Sequence, residues 1–311
     1  MSYAALFPGQ GSQAVGMGAD LFEARPDLLG ERADEILGWS LREMCLNGPE
    51  DKLTRTEHTQ PALFALSYAL WDEFARVMAT QPAAAAGHSL GEYTALAAAG
   101  VFAYHDGLSL VSERGRAMAA AADLVPTGMA AVIGADEETV SRLVAANRAR
   151  GGRMSVANFN APGQIVVAGA VEDIEWLADN ARAHGVRRAI PLNVAGAFHT
   201  EFMEPARERV ASALSRVGLR EPAFKVWSNT TAEEHESGTI AETLARQMVS
   251  PVRFSDSLRS MARGGTGVFV HVGPGDVTAG MARRTVDGAE VLTVNRLDDI
   301  DEVVASLSTM A

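Results

Sequence analysis

No five residues constrain this chain more than Gly87-His88-Ser89-Leu90-Gly91. A G-x-S-x-G run lets a strand turn sharply into a helix, because its two glycines allow a close backbone approach and leave the serine hydroxyl exposed on a strained elbow. The stretch that follows, 92–99, is a good helix former, as an elbow requires. If the elbow forms, Ser89 is a candidate nucleophile, and the Leu90 N–H points toward any oxyanion raised on a carbonyl that Ser89 attacks. The competing reading is a chance pentapeptide at an alanine-rich strand–helix junction, so the surrounding pattern has to decide.

That pattern is α/β. A strand over 3–7 runs into a glycine loop, helical segments are expected over 13–22, 28–45 and 61–79, and strand-like runs return at 267–272 and 290–294. Strands alternating with helices favour a mostly parallel sheet covered on both faces. The middle of the chain follows a different plan. A strand at 129–133 precedes a helix at 136–150, strands at 154–159 and 164–168 flank the turn Asn160-Ala161-Pro162-Gly163, and a helix at 172–184 leads through Gly185 to a strand at 186–194. The order β-α-β-β-α-β is the split βαβ, or ferredoxin-like, unit. The expected architecture is therefore a large α/β-hydrolase-like domain over 1–126 and 195–311, with a ferredoxin-like small domain inserted at 127–194.

Length and composition narrow the function classes. At 311 residues the chain is long enough for about two domains, and 47% hydrophobic with 21% charged residues is globular. A formal net charge of −12 argues against nucleic acid and anionic lipid as partners, since both need a positive footprint. The longest nearly apolar stretch, 95–104, is too short to span a bilayer, and the start has no basic segment ahead of an apolar one. The lone Cys45 excludes an internal disulfide and a cysteine-cluster zinc site. These features point to a cytoplasmic protein with no metal and no membrane partner.

A serine nucleophile needs a base. His88 should point away from Ser89 across the turn, while His58, His105, His184 and His235 lie in polar surroundings that suggest exposure. His199, just after the last strand of the insert, is the positional candidate, with a structural histidine an equal alternative. Gly9, Gly11 and Ala14 fit a dinucleotide-binding spacing, but Pro8 interrupts the strand–loop junction and no acid-tipped second strand follows. The loop is better read as a source of backbone amides for an anion or oxyanion. Arg114 is either part of a solvated helix face or a fork-shaped cation for a substrate carboxylate.

With these residues in place, the chain resembles the malonyl-CoA:acyl-carrier-protein transacylase family, including the discrete acyltransferases of polyketide synthases. The similarity rests on FPGQGSQ (7–13), TQPALFALSYAL (59–70), GHSLGEYTAL (87–96), ERGRAM (113–118), GMAAVIG (128–134), ANFNAPGQIVVAG (157–169), GAFHTEFM (196–203), SPVRF (250–254) and VGPG (272–275), in family order. The resemblance implies Ser89 as the acylated nucleophile and His199 as its base. It implies Leu90 and Gln10 as oxyanion donors, and Arg114, Phe198 and Asn160 as substrate-binding residues. In the family a main-chain carbonyl rather than an acid holds the histidine, and Ser250 falls near that position. The implied reaction is ping-pong transfer of malonyl or another acyl group from a CoA or carrier-protein thioester to the phosphopantetheine of an acyl carrier protein. The enzyme itself would need no cofactor. The alternatives are an acyl-thioester hydrolase on the same scaffold and a shuttle of larger acyl groups between carriers.

Two features bear on specificity. The Ala197-Phe198-His199 triplet resembles the form associated with malonyl selection. Against it, Ala119–Ala122 stand where the family often carries polar residues, which would leave a roomier acyl pocket if that helix lines it. Carrier docking on so acidic a chain requires a local exception. Residues 127–194 carry seven arginines and seven acids, so the negative charge lies elsewhere. Arg148, Arg150 and Arg153, with Met203 and Arg296, are the expected docking residues.

Overall fold

The computed structural model describes residues 2–310. Five strands form one fully parallel sheet: β1 (Tyr3–Phe7), β2 (Ala84–Gly87), β7 (Lys225–Val226), β8 (Val268–Val272) and β9 (Glu290–Val294), in the order β7-β2-β1-β8-β9. Four more form an antiparallel sheet: β3 (Thr127–Ile133), β4 (Ser155–Ala161), β5 (Gln164–Ala170) and β6 (Arg188–Pro191), in the order β4-β5-β3-β6. With helices Glu137–Ala149 and Val171–Asn180 between them, these strands have the ferredoxin-like order.

Every residue of β1, β2 and β8 is buried, as expected of central parallel strands with helices on both faces. Because the strands are parallel, their carboxyl ends open on one edge of the sheet, where α/β folds place their ligands. From that edge β1 leads to Gln10, β2 to Ser89 and β8 to Val277. The antiparallel sheet is stitched to this edge through β4. Phe159 N–H donates to Val252 O and Val252 N–H donates to Ala157 O, each at 2.8 Å.

Two expected helices are different in the structure. Over 13–22 the chain makes turns and then a single helical turn, Leu21–Ala24, because Gly16 and Gly18 adopt φ of +94° and +70°. The stretch 28–45 is cut into Pro26–Leu29, Glu31–Leu37 and Leu41–Asn47, broken at Gly30 and at the left-handed Gly38. The edge strand β7, only two residues long, has too little pattern to be read from the sequence. Among the described residues no helix is long and apolar enough to cross a membrane.

Candidate active site

Ser89 sits at φ +52°, ψ −102° between β2 and helix Leu90–Ala98. The tightness of this turn shows in its glycines. A Cβ on Gly87 would lie 1.8 Å from the Gly91 carbonyl carbon, and one on Gly91 would lie 2.2 Å from Phe7 O. Asn229, just beyond the neighbouring strand β7, pins the turn: its Oδ1 accepts from Ser89 N–H at 2.7 Å and its Nδ2 donates to Gly87 O at 2.7 Å.

His199 is also in the left-handed region, at φ +61°. A non-glycine residue there is strained, and such strain clusters where a side chain must be aimed. Its Nε2 is 2.8 Å from Ser89 Oγ and its Nδ1 is 2.9 Å from the main-chain oxygen of Gln247. A carbonyl only accepts, so Nδ1 carries the proton and Nε2 is left as the acceptor for the serine hydroxyl. The carbonyl belongs to Gln247 and not to Ser250, which lies three residues further on, after the helix Ile240–Gln247 has ended. Burial, reinforced by the nearby Arg114 charge, pushes the His199 pKa down to about 3, and the bond to Gln247 only partly offsets this.

Arg114, on helix Tyr104–Ala122, is 1% exposed. Its guanidinium donates to Gln60 Oε1 at 2.5 Å, Gln247 Oε1 at 2.9 Å and Ser89 Oγ at 3.0 Å, and its Nε has no partner. Among the described residues no carboxylate lies within 4.0 Å of it. A buried cation that no carboxylate pairs directly is expensive; the Glu92 charge reaches it only from beyond Gln247, and a ligand carboxylate would relieve it.

These groups face a cavity of about 400 Å³ between the two sheets. Gln10 and Leu90 line it on one side, with Met129, Asn158, Asn160 and Gln164 of the antiparallel sheet opposite and Phe198 beside His199. Leu90 is the first residue of its helix, so its N–H has no intrahelical acceptor and stands at the positive end of the helix dipole. Asn160 Oδ1 accepts from His88 Nε2–H at 2.8 Å, and His88 packs edge-on against Phe254, so its ring does turn away from Ser89 Oγ.

Other expected residues lie elsewhere. Ala119–Ala122 do not line the cavity. Ala121 and Ala122 are buried in the core, and a Cβ on Gly196 would come within 2.6 Å of the Ala122 methyl, so these small residues let the returning chain pass close by. Met203 is fully buried and offers no docking surface, because it packs with the large-sheet core. Arg148, Arg150, Arg153 and Arg296 are exposed but already engaged. Arg148 donates to Met154 O at 2.8 Å, Arg150 lies over Trp176, Arg153 pairs with Glu201 at 2.7 Å and Arg296 pairs with Asp299 at 3.3 Å. His235, expected at the surface, is buried against Glu92. Sequence reasoning missed Gln247, Asn229 and Gln60. A pinning amide or an orienting carbonyl has no motif of its own, and only Gln60 stood inside a quoted stretch.

Comparison with known proteins agrees with this geometry. The acyl transferase domain model matches residues 5–301. The malonyl CoA-acyl carrier protein transacylase of Bacillus subtilis is 36% identical over 305 residues, covering 97% of this chain and 96% of that protein. An acyl carrier protein S-malonyltransferase structure from Vibrio cholerae superposes with a TM-score of 0.91 at 37% identity, covering 97% and 100% of the two chains. A malonyl-transacylase solved in complex with a type II polyketide synthase acyl-carrier protein superposes at 0.92 with 35% identity, covering 98% and 100%. With the elbow, the histidine and the buried arginine in one cavity, this chain belongs to the acyl transferase family of malonyl-CoA:acyl-carrier-protein transacylases.

Proposed function

We propose that this protein moves a carboxylated acyl group, malonyl above all, from a CoA or carrier-protein thioester to the phosphopantetheine thiol of an acyl carrier protein, through acyl-Ser89. The observation that carries the reading is the pairing of a Ser89–His199 dyad with Arg114, a buried cation in direct contact with no carboxylate among the described residues. We assign catalysis to the part formed by 1–126 and 195–311, with 127–194 as an inserted ferredoxin-like small domain that supplies the far wall of the cavity.

In the first half-reaction His199 Nε2 takes the hydroxyl proton as Ser89 Oγ bonds to the thioester carbon. The oxyanion forms against the Leu90 and Gln10 amides, each such donor being worth roughly 3 kcal/mol of barrier. Collapse breaks the C–S bond, and His199 returns the proton to the departing sulfur. In the second half the carrier thiol gives its proton to His199 and its sulfur to the acyl carbon, and Ser89 Oγ leaves and is reprotonated. One thioester replaces another, so the net driving force is small. A main-chain carbonyl in place of a triad acid is sufficient because a thioester is a more reactive donor than an amide. Side chains and amides of this chain carry each step, and the pantetheine arm arrives on the substrates. Arg148, Arg150, Arg153 and Arg296 remain the proposed rim for an acidic carrier.

The test is intact-protein mass spectrometry after mixing with malonyl-CoA, then with holo-carrier protein. A malonyl adduct that moves to the carrier is expected. An adduct lost to water without a carrier would make the protein a hydrolase, and an adduct only from larger acyl carriers would make it a shuttle.

The depressed His199 pKa adds a pH expectation. A base with its pKa near 3 stays neutral, and therefore able to accept a proton, throughout pH 5–8. The pH profile of kcat/KM for malonyl-CoA, which reports the free protein, should show no inflection near the ordinary imidazole value of about 6.5. A rate that falls off below pH 6.5 would mean that the imidazole titrates normally in the working site.

A further inference from the structure

Behind the elbow, on the face away from the cavity, lies a side chain that the mechanism above does not use. Glu92, in the first turn of helix Leu90–Ala98, is completely buried. Its carboxylate is met by three donors: His235 Nε2 at 2.7 Å on one oxygen, and Gln247 Nε2 at 2.5 Å with Asn229 N–H at 3.2 Å on the other. The same Gln247 Nε2 also reaches Ser89 O at 3.0 Å, while its Oε1 holds the Arg114 guanidinium.

A carboxamide is nearly symmetric in shape, so its orientation is set by what its two ends face. A carboxylate only accepts. It therefore draws the Gln247 NH2 group toward itself and turns the amide oxygen toward Arg114. The flipped amide would set oxygen against carboxylate and NH2 against guanidinium, two repulsive contacts in a dry interior where each counts fully. From this geometry we infer that Glu92, braced by His235, is a positioning residue for acyl selection: by fixing which way the Gln247 amide points, it fixes where Arg114 presents its charge. It touches neither substrate nor reacting atoms. The inference rests on the acyl-transfer reading above and on Arg114 as the group that meets the acyl carboxylate.

The test is Glu92→Met, which keeps the length but offers Gln247 Nε2 no carboxylate, and so frees that amide to flip; a glutamine would not serve, because His235 Nδ1 has no partner and the ring could change tautomer to accept the new NH2. Its readout is the ratio of kcat/KM for malonyl-CoA to that for acetyl-CoA, since a merely structural role would lower both donors together. The ratio should fall by about tenfold or more, the scale set by one hydrogen bond to a charged group. Gln247→Met should lower the same ratio, and adding Glu92→Met to it should lower the ratio no further, because the two act through one contact. A folded Glu92→Met protein whose ratio stays within twofold of the parent would overturn the inference, and so would effects of the two changes that multiply. If Glu92→Met does not fold, Gln247→Met decides, and an unchanged ratio there sinks the idea. Failure of the parent protein to be acylated by either CoA would instead reject the acyl-transfer reading, leaving the two failures distinguishable.

Discussion

Ser89→Ala protein mixed with malonyl-CoA carries no acyl adduct, and transfer to holo-carrier falls at least about 10³-fold, the scale on which loss of a covalent nucleophile is felt. The argument is geometric. Ser89 Oγ is the hydroxyl that His199 Nε2 approaches at 2.8 Å, at the mouth of two free amides in the cavity. Removing it leaves the oxyanion donors and the arginine in place but with no atom for the acyl group to join. The fold should survive, because the elbow is held by Gly87, Gly91 and the Asn229 side chain, none of which uses the hydroxyl. Circular dichroism and thermal unfolding close to the parent, together with a missing adduct, would establish Ser89 as the acylated residue. A persistent adduct would place the nucleophile elsewhere.

The second large effect is on substrate choice. Arg114→Leu should lower kcat/KM for malonyl-CoA by roughly 10²- to 4 × 10³-fold, because the acyl carboxylate then enters a buried site with no partner, at a cost of about 3–5 kcal/mol. The same change should cost acetyl-CoA far less, since an uncharged acyl group gains nothing from the guanidinium. Stability should not collapse. The parent already carries this charge at 1% exposure without a carboxylate within reach, and a leucine removes that burden while leaving Gln60 and Gln247 short of a donor. Steady-state kinetics with both donors decide the matter. A malonyl rate within threefold of the parent would mean that the carboxylate is bound by some other group.

How much of this was legible beforehand depends on how local each feature is. The small antiparallel sheet was readable strand by strand, because alternation, the Asn160–Gly163 turn and helical spacing all lie within a few residues of the elements they specify. The helices near the N-terminus were not. A run of apolar residues at helical spacing says nothing of Gly16, Gly18 and Gly38 being used at positive φ. The site divided in the same way. Ser89 and Leu90 are adjacent in a motif and could be named from it. His199 stood out among the histidines only by its place after the insert and by the family resemblance, because nothing in the residues beside it is a base motif.

The sequence by itself determined the elbow, the two kinds of sheet and the list of groups able to do acyl chemistry, because each is written in short-range pattern and residue type. Only the tertiary structure decided that the carbonyl behind His199 belongs to Gln247, that Asn229 pins a turn 140 residues away, and that Gln247 reaches Ser89 across 158 residues. It also decided that His235, expected at the surface, is instead buried against Glu92. A main-chain carbonyl carries no residue signature. A buried polar side chain looks like an exposed one until the elements that cover it are packed together, and the hydrogen bonds it then must make are what select its partners.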